Sequence, residues 1–390
     1  MLPALPRGPG RPRTGSASRR GTPRAAARPA AGATADGEVI VVGEKHSVRF
    51  EPVGIEIEVD SDQTILRAAA EQGVALMHGC KEGQCASCKS FVLEGEDIEL
   101  DSYSTFALPD FEREEGSTLL CRAHAYEDLV IELLNYDEEM IASGLPLRQG
   151  TVEVVANEPV THDMRHLVVR LLEPEEIKYF PGQYMDFQVP GHHATRSFSM
   201  ANTPNREGLF EFVIKVYPGG LFSGHLAEKL QMGDRLSVEG PFGAFRLRES
   251  TSADLLFIGG GAGLAPLLAL LRSMAERGIE RTVTFYYGAR TRGDLCFGEE
   301  LTRLQEELPG LTYVPALSEP SGDDGWEGET GLITDVVARR ETGLGGVDAY
   351  VCGPPPMVEA AIATLTRLGR SEDHIFYDKF TTTGEPEGED

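Results

Sequence analysis

Four of the six cysteines in this 390-residue chain stand within a stretch of 42 residues. Three of them share the polar, glycine-rich sequence HGCKEGQCASCKS with the spacing Cys80-x4-Cys85-x2-Cys88, and Cys121 follows later. The other two cysteines are far apart, which is not the pattern of a disulfide-stapled secreted domain. Crowded thiols in a polar loop indicate a metal site in a reducing compartment, so we expect a cytoplasmic protein.

The spacing indicates which metal the thiols hold. Plant-type [2Fe–2S] proteins hold two irons with four thiolates at this spacing. Gly79 and Gly83 allow the loop to wrap around a cluster, and small residues let backbone N–H groups approach its sulfur atoms. The same thiolates can hold structural zinc, but zinc sites usually pair two C-x2-4-C knuckles, and here one cysteine stands alone. We therefore expect the cluster ligands to be Cys80, Cys85, Cys88 and Cys121.

The distribution of charge excludes several kinds of partner. The formal net charge is −26, yet residues 1–35 carry seven arginines and no acidic residue. The remainder is therefore strongly acidic, which disfavours nucleic acid and anionic membranes and favours partners with basic docking surfaces. No apolar run reaches the ~18–20 residues of a membrane span, so no transmembrane helix is expected. The composition of the arginine-rich head indicates a disordered extension, or a segment that results from translation at an upstream start codon. A transit-like peptide or a nucleic-acid-binding tail stays open as the alternative.

The hydrophobic pattern changes twice along the chain. HSVRFEPVGIEIEVD predicts a β-hairpin, and QTILRAAAEQGV predicts a helix, which together indicate an α+β unit. A succession of short strands with Gly/Pro turns then suggests a β-barrel. Alternating strands and helices follow, which predicts a parallel α/β sheet. The expected division is a disordered basic extension at 1–38, an α+β domain at 39–138, a linker at 139–149, a β-barrel at 150–249 and an α/β domain at 250–390.

The cysteine region resembles a known family. HGCKEGQCASCKS together with LLCRAHAYEDLVIELL is similar to the ferredoxin module of reductase components of bacterial soluble diiron monooxygenases. The acidic stretch DSYSTFALPDFEREEGSTLLCRAHAY resembles especially the propane/alkane and phenol types, and methane-type reductases share the module order. The resemblance implies a ferredoxin-like (β-grasp) domain followed by the flavin barrel and nucleotide domain of the ferredoxin–NADP reductase superfamily.

The sequence TRSFSM, after the strand FPGQYMDFQVP, resembles the R-x-[YF]-S flavin motif of that superfamily. In the family, the arginine meets the FAD pyrophosphate, the aromatic ring lies near the flavin, and the serine reaches the N5 edge. Phe198 stands where the family commonly has tyrosine, so a hydroxyl contact is lost while the ring is kept. On its own, such a short motif is more often a structural strand end. The resemblance implies FAD contacts from Arg196, Ser197, Phe198 and Ser199.

Two further elements follow in the family's order. KVYPGGLFSGHL places a glycine turn at the start of a helix, where free N–H groups can bind phosphate. The family uses this turn for the FAD pyrophosphate, and MGDRLSVEGPFGAF is similar to the strand and turn that come next. The additional FAD residues implied are Gly219, Gly220 and Ser223.

Three elements of the α/β part resemble the family's nucleotide site. LLFIGGGAGLAPLLALL matches G-T-G-x-A-P, with Ala262 replacing threonine, YYGART ends the next strand, and VCGPPPMVEA matches C-G-P-P-x-M. Taken singly, a glycine loop is also a tight βα turn that binds nothing. Together they imply that the nicotinamide lies at the carboxyl ends of parallel strands, near Cys352. The implied residues are Gly261, Gly263, Pro266, Gly288, Arg290, Cys352 and Gly353.

The choice between NADH and NADPH stays open on the residues alone. An acidic residue after the second strand favours a free 2′-hydroxyl, whereas Arg290 and Arg292 there suit a phosphate. The resemblance favours NADH. FYDKF resembles the family's terminal segment, which implies that Phe380 lies near the flavin, although an edge strand explains the pattern as well.

The resemblance implies an NADH-dependent reductase that passes electrons through FAD and a [2Fe–2S] cluster to the diiron hydroxylase of a soluble monooxygenase. Hydride transfer needs no acid/base residue, so none is predicted, and Ser199 and Cys352 are expected only to lie near the flavin and nicotinamide. An aromatic-ring dioxygenase or a phenol hydroxylase can use a reductase with the same modules. A non-catalytic iron–sulfur sensor is the alternative from another class.

Overall fold

The computed structural model describes residues 44–142, 144–322 and 325–381. The expected basic extension, residues 1–38, lies outside the described residues. Three main β-sheets follow one another along the described part, one for each predicted fold type. None of the helices there is both long and apolar enough to cross a lipid bilayer.

The first sheet belongs to the predicted α+β part. Strand β1 (Lys45–Glu51) forms the predicted hairpin with β2 (Ile55–Asp60) and pairs in parallel with β7 (Leu129–Leu133). Helix α1 (Ile65–Glu71) begins after Thr64, whose hydroxyl accepts a hydrogen bond from a backbone N–H of the first turn. The other elements are β3 (Lys89–Glu94), β4 (Ile98–Leu100), α2 (Asp110–Glu114), β5 (Ser117–Leu119) and β6 (Ala123–Ala125). The strand order β2-β1-β7-β3-β5, with α1 packed in the same core, is the expected β-grasp arrangement.

The segment expected to be a linker, residues 139–149, is packed rather than extended. Helix α3 (Glu138–Ala142) buries Ile141 against the α+β core, and Leu147 packs against Tyr184 of the barrel. Burial of a large aliphatic side chain gains about 1.5–3 kcal/mol, which favours docking of the segment over a solvated connection.

Six antiparallel strands form the predicted barrel. They are β8 (Arg148–Pro159), β9 (Met164–Glu173), β10 (Tyr184–Gln188), β11 (Thr195–Ser199), β12 (Leu209–Lys215) and β13 (Arg235–Phe242). The order is β11-β10-β13-β8-β9-β12, and a single bridge between Met200 and Phe212 brings the two edges together. Helix α4 (Leu221–Glu228) buries Phe222 and Leu226 in the barrel core.

The C-terminal part is a parallel sheet covered by helices. The strands are β14 (Asp254–Gly260), β15 (Val283–Ala289), β16 (Leu311–Leu317), β17 (Glu329–Thr330), β18 (Val347–Gly353) and β19 (Ile375–Lys379). The helices are α5 (Leu264–Arg277), α6 (Gly298–Glu307), α7 (Ile333–Arg340) and α8 (Pro355–Arg367). The order β17-β16-β15-β14-β18-β19 places the three predicted nucleotide elements at the carboxyl ends of adjacent strands. Ligands of open parallel sheets bind at this edge.

Candidate functional site

The four predicted cysteine ligands form two pairs. The sulfurs of Cys80 and Cys85 are hydrogen-bonded to each other, and so are those of Cys88 and Cys121. The hydrogen bond from Cys80 lowers the pKa of the Cys85 thiol to about 5. The bond from Cys121 likewise lowers the pKa of the Cys88 thiol. The thiolate is the form of cysteine that binds metal, and two adjacent thiols in each pair supply two such ligands.

Backbone N–H groups of the loop point at these sulfurs. The donors are Glu82 N and Gln84 N to Cys80 Sγ, at 3.4 and 3.2 Å, and Cys80 N to Cys85 Sγ, at 3.4 Å. The loop curls in this way because Lys81, Gly83 and Ala86 have φ values of 59°, 67° and 60°, in the left-handed region. Successive N–H groups in such a turn stabilise negative charge on the sulfur ligands of a metal.

The separation of the two pairs distinguishes the cluster from zinc. A tetrahedral zinc ion, with Zn–S bonds of about 2.3 Å, brings four sulfurs within about 4 Å of one another. Among the described residues, only His162, Asp163 and Asp294 form a group of three potential ligands whose donor atoms all lie within 4.8 Å of one another. No three of the cysteine sulfurs are therefore that close. Two separated pairs fit two irons, each held by two thiolates.

A cavity of about 700 Å³ lies beside the cysteine loop. This volume is in the range of small-molecule and cofactor sites, about 300–1,000 Å³. Most of its walls come from four places in the chain: residues 79–82 of the cysteine loop, 195–199 of the flavin motif, the stretch 213–223 around the glycine turn, and 378–381 near the C-terminus. Tyr184 and Asp186 of β10 and Ala262 complete the lining. Fold and cavity together bring the predicted metal and flavin elements to one place.

The residues of the flavin motif meet the cavity in different ways. Ser199 is 5 % exposed and faces it from the end of β11. Phe198 lines it while also packing on Phe187 and Phe222, with ring centroids 5.8 and 5.0 Å apart. The Ser197 hydroxyl donates a hydrogen bond to Asp186 at 2.6 Å. Arg196, a further lining residue, donates to the Thr195 carbonyl at 2.8 Å.

The glycine turn before α4 has the form of a phosphate cradle. Gly219 has φ 74°, which favours glycine, and an added Cβ at Gly220 would collide with the Ser223 hydroxyl. That hydroxyl accepts a hydrogen bond from the Tyr217 N–H at 3.2 Å, so its own proton can be donated into the cavity. The first N–H groups of α4 also lack partners within the helix. The predicted residues therefore fit the anionic part of FAD.

Several interactions hold the cysteine loop against the barrel. The Lys81 ammonium forms an ion pair with Asp186, and it lies 3.4 Å from the centroid of the Phe242 ring. The Gly243 N–H donates a hydrogen bond to His78 Nε2 at 2.9 Å, while the other ring nitrogen of His78 bonds to the Leu76 carbonyl. Burial lowers the pKa of His78 to about 4, so the ring is neutral and accepts this bond. His78 therefore has a packing role rather than a metal-binding one.

The predicted nucleotide residues are divided between packing and the cavity. An added Cβ at Gly263 would collide with the Cys352 carbonyl, and one at Gly288 would lie 2.9 Å from Ile333. These two glycines allow close packing of the turn after β14 against β18 and of β15 against α7. Gly261, with φ 56°, precedes Ala262, which lines the cavity. Pro266 is buried in the first turn of α5.

Cys352 and Phe380 differ in their access to the cavity. The Cys352 side chain is fully buried in the sheet and does not line the cavity, and burial raises the pKa of its thiol well above its usual value. Its expected position beside the nicotinamide stays a prediction. Phe380 does line the cavity. It directly follows the edge strand β19, and its N–H donates a hydrogen bond to the Gly353 carbonyl at 2.9 Å, which fixes the backbone at this position.

Arg290 is engaged by carboxylates. Its guanidinium lies 2.8 Å from an oxygen of Asp163 and 3.1 Å from one of Asp294. Lys215 also pairs with Asp163, at 3.0 Å, and His162 lies 3.1 Å from Asp294. This cluster joins the barrel to the end of β15, which is 127 residues from Asp163 in sequence.

Sequence analysis did not identify several residues of the site, although some of them lie within the motifs that it used. Asp186 is the one acidic residue in the strand sequence YMDFQV, a signal that points to a partnered or functional carboxylate. Lys81 lies inside the cysteine motif, where only the spacing of the thiols was informative. Asp378 lines the cavity, and burial, with nearby Cys85 adding to the effect, raises its pKa to about 7.

Family models match the three parts of the chain in the predicted order. They describe a 2Fe-2S iron-sulfur cluster binding domain at residues 48–126, an oxidoreductase FAD-binding domain at 151–247 and an oxidoreductase NAD-binding domain at 257–362. The set of cofactors predicted from the motifs, a [2Fe–2S] cluster, FAD and a nicotinamide nucleotide, is thereby confirmed.

Known relatives extend over most of the chain. The reductase component of propane 2-monooxygenase from Rhodococcus jostii (strain RHA1) is 49% identical over 344 residues, covering 87% of this chain and 93% of the relative. The reductase component DmpP of phenol 2-monooxygenase from Pseudomonas sp. (strain CF600) is 38% identical, covering 88% and 97%. The crystal structure of the Amycolatopsis cytochrome P450 reductase GcoB has a TM-score of 0.77 at 32% identity, covering 86% and 99%. The chain therefore belongs to the family of monooxygenase reductase components, NAD(P)H oxidoreductases in which a 2Fe-2S domain precedes the flavin and nucleotide domains of the ferredoxin–NADP reductase superfamily.

Proposed function

We propose that this chain oxidises NADH and delivers the electrons, by way of FAD and a [2Fe–2S] cluster, to the diiron hydroxylase of a soluble monooxygenase of the propane/alkane type. The observation that carries the proposal is the shared cavity. Residues 79–82, which include Cys80, line the same space as the flavin motif. A flavin held in this cavity would have residues of the loop that would hold the cluster as part of its binding walls.

When bound, FAD takes up two electrons as a hydride, and the cluster carries them onward one at a time. The chain supplies position and charge. Gly219, Gly220 and the start of α4 bind the pyrophosphate, and Arg196 adds positive charge to it. Ser199, at the end of β11, and Phe380, just past β19, both line the space in which the flavin would lie.

The ion pairs of Arg290 support NADH as the reductant. A 2′-phosphate at the end of β15 would face Asp163 and Asp294, which already engage the Arg290 charge. Acidic groups at this place in a nucleotide fold suit the free 2′-hydroxyl of NADH and repel the extra phosphate of NADPH. We infer a preference for NADH from this arrangement.

The identity of the acceptor is supported by the relatives. Propane and phenol monooxygenase reductases match nearly their full lengths, and the propane-type reductase is the more similar of the two. The acidic charge of the chain also suits a protein acceptor with a basic surface rather than nucleic acid or an anionic membrane.

Anaerobic titration of the purified holoprotein with NADH tests the reductase function. We expect iron and acid-labile sulfide in equal amounts, bleaching of the flavin absorption, and fading of the broader iron–sulfur bands as electrons pass on. Addition of a propane-type hydroxylase should reoxidise the protein at a rate that a dioxygenase component does not match.

Three results would count against the proposal. If the protein is colourless, or contains zinc, after iron and sulfide are supplied, the four cysteines do not hold a [2Fe–2S] cluster. If NADH bleaches the flavin absorption but leaves the iron–sulfur bands unchanged, electrons do not pass from the flavin to the cluster. Slow cytochrome c reduction, with normal cofactor content, would favour the sensor alternative.

A further inference from the structure

A short segment next to the cysteine loop exposes two aromatic rings. The side chains of Phe106 and Phe111 are 95 % and 61 % exposed, although the adjoining Ala107 and Leu108 are fully buried in the α+β core. The buried pair anchors the segment, and the Phe106 N–H donates to the Ser104 hydroxyl at 3.3 Å. Phe106 is therefore held outward on an ordered turn, so its ring is presented to a partner with little further loss of conformational freedom.

The two rings lie in a stretch in which exposed acidic residues outnumber the one exposed basic residue, Arg113, which donates a hydrogen bond to the Tyr103 hydroxyl. Asp110, Glu114 and Glu115 are exposed on or next to α2, and the neighbouring Glu112 is paired with Lys89. We call Phe106, Asp110, Phe111, Glu114 and Glu115 the acidic–aromatic surface. Charged residues around an aromatic anchor are the arrangement of a docking surface whose centre gives affinity and whose rim steers the partner.

This surface adjoins the metal site at Gly83, the residue directly after the part of the loop that lines the flavin cavity. The Ser104 N–H donates a hydrogen bond to the Gly83 carbonyl at 3.0 Å, and an added Cβ at Gly83 would lie 2.6 Å from Tyr103 Cβ. Gly83 in turn donates its N–H to the sulfur of Cys121. Residues 79–82 of the same loop line the cavity. The loop thus contacts the flavin space through residues 79–82 and the segment that bears the two rings through Gly83.

We propose that the acidic–aromatic surface docks the electron acceptor, a protein with a basic surface around an apolar pocket, and that Phe106 is its central anchor. The proposal rests on the proposed function, because the acceptor is taken to be the oxygenase component. A second copy of this chain is a poor fit, since two surfaces rich in carboxylates repel each other.

Binding, rather than turnover, tests the surface. The full-length holoprotein is titrated against the hydroxylase component of a propane 2-monooxygenase, and the Kd is measured by microscale thermophoresis. We expect F106A/F111A to raise the Kd about tenfold or more, as for central aromatic anchors. D110K/E114K should raise the Kd about as much and weaken its dependence on salt between about 50 and 300 mM NaCl.

Matched controls come from the barrel. Met232 is 75 % exposed there, so M232A removes an exposed apolar side chain of similar size away from the surface, and E228K reverses an exposed charge. Both should leave the Kd within about twofold of the wild-type value. Iron content and melting temperature of every variant report on its folding.

The outcomes separate the two proposals. Wild-type protein that neither binds nor reduces the hydroxylase overturns both. Wild-type binding with an unchanged Kd for F106A/F111A and D110K/E114K overturns the docking surface alone. Sedimentation velocity showing that F106A/F111A turns a dimer into a monomer, with the Kd unchanged, assigns the surface to a second copy and also overturns it.

Discussion

The Tyr184 hydroxyl donates a hydrogen bond to the Gly79 carbonyl at 2.9 Å. Tyr184 begins β10 of the barrel, and Gly79 directly precedes the first cysteine of the metal loop. Burial raises the pKa of Tyr184 well above its usual value, so at neutral pH the hydroxyl keeps its proton and donates this bond. The barrel therefore positions the Cys80 end of the loop directly.

Replacing this tyrosine should weaken the positioning of the loop. Y184F leaves the Gly79 carbonyl without its donor, a loss of about 1–3 kcal/mol for a buried group. We expect a lower melting temperature and, in stopped-flow absorbance after NADH addition, slower reduction of the iron–sulfur bands. Y179F is the matched control, because Tyr179 donates to Asn202 within the barrel, 3.3 Å away, and not to the loop. Equal slowing in both variants would refute the role of Tyr184.

The Lys81–Asp186 ion pair should show energetic coupling. Both side chains are mostly buried, at 21 % and 10 % exposure, so K81M leaves a carboxylate with little water around it. Removing one partner of a buried pair costs about 3–5 kcal/mol, and we expect about 2–3 kcal/mol here because the pair keeps some solvent. K81M/D186N should recover about half of this loss. The double-mutant cycle of wild type, K81M, D186N and K81M/D186N is measured by denaturant unfolding, followed through the iron–sulfur absorbance. If the losses of stability in the two single variants add up to that of the double variant, the two side chains are not coupled.

Loss of the distant thiol should remove the cluster but not the flavin. C121A leaves three thiolates for two irons, so we expect iron per chain to fall close to zero while the FAD content is kept. NADH-driven reduction of ferricyanide should persist, and transfer to the hydroxylase should be lost. C296A is the control, since Cys296 is a buried thiol outside the two cysteine pairs. Full hydroxylase reduction by C121A would exclude Cys121 as a ligand.

Removal of one carboxylate near Arg290 should change the choice of nucleotide. D294A leaves the guanidinium with Asp163 as its remaining carboxylate partner among the described residues, so repulsion of a 2′-phosphate decreases. We expect the ratio of kcat/KM for NADH over NADPH to fall about tenfold, the effect of about 1.4 kcal/mol. D335A, an exposed acid on α7, should leave the ratio unaltered. If the ratio is unchanged in D294A, Asp294 does not contribute to the choice between NADH and NADPH.

Glu211 should make the junction of barrel and parallel sheet sensitive to acid. Arg272 on α5 joins Glu211, at 3.0 Å, to Glu300, at 2.6 Å. Burial raises the pKa of the Glu211 carboxyl, but hydrogen bonds from His166 and Arg272 lower it more, so the pKa lies below its usual 4.5. Because the folded-state pKa is the lower one, the carboxylate adds stability above about pH 4.5, and this is lost as the pH falls through the folded-state pKa.

E211Q tests this pH dependence. At pH 7 the variant should be less stable than the wild type by about 1–3 kcal/mol, and the difference should shrink as the pH falls below about 4.5. Melting temperatures of both proteins across this range give the measurement. E207Q, which changes an exposed acid near the turn before β12, should show a small difference that does not vary with pH. A constant deficit in E211Q at all pH values would exclude the carboxylate as its source.

Most of the fold and the set of cofactors could be predicted from local sequence. The cysteine spacing, the TRSFS motif and the glycine loop after β14 each place the necessary residue types on one short stretch of chain. Their chemistry depends on neighbours along the chain, and strand and helix periodicities identify the sheet types in the same local way. The packed segment around Ile141 escaped this reasoning because its few apolar residues show no clear period.

The sequence by itself determined which groups the protein binds and in what order its domains come, because short motifs encode ligand chemistry. Tertiary structure alone decided that the cysteine loop faces the flavin cavity through Tyr184 and Lys81, that Arg290 meets Asp163, and that Phe106 stays exposed. The local sequence around a lysine, an aspartate or a phenylalanine does not indicate which residue it will contact in the folded protein. That partner is set by the packing of sheets more than one hundred residues apart, where burial makes each unpaired charge costly.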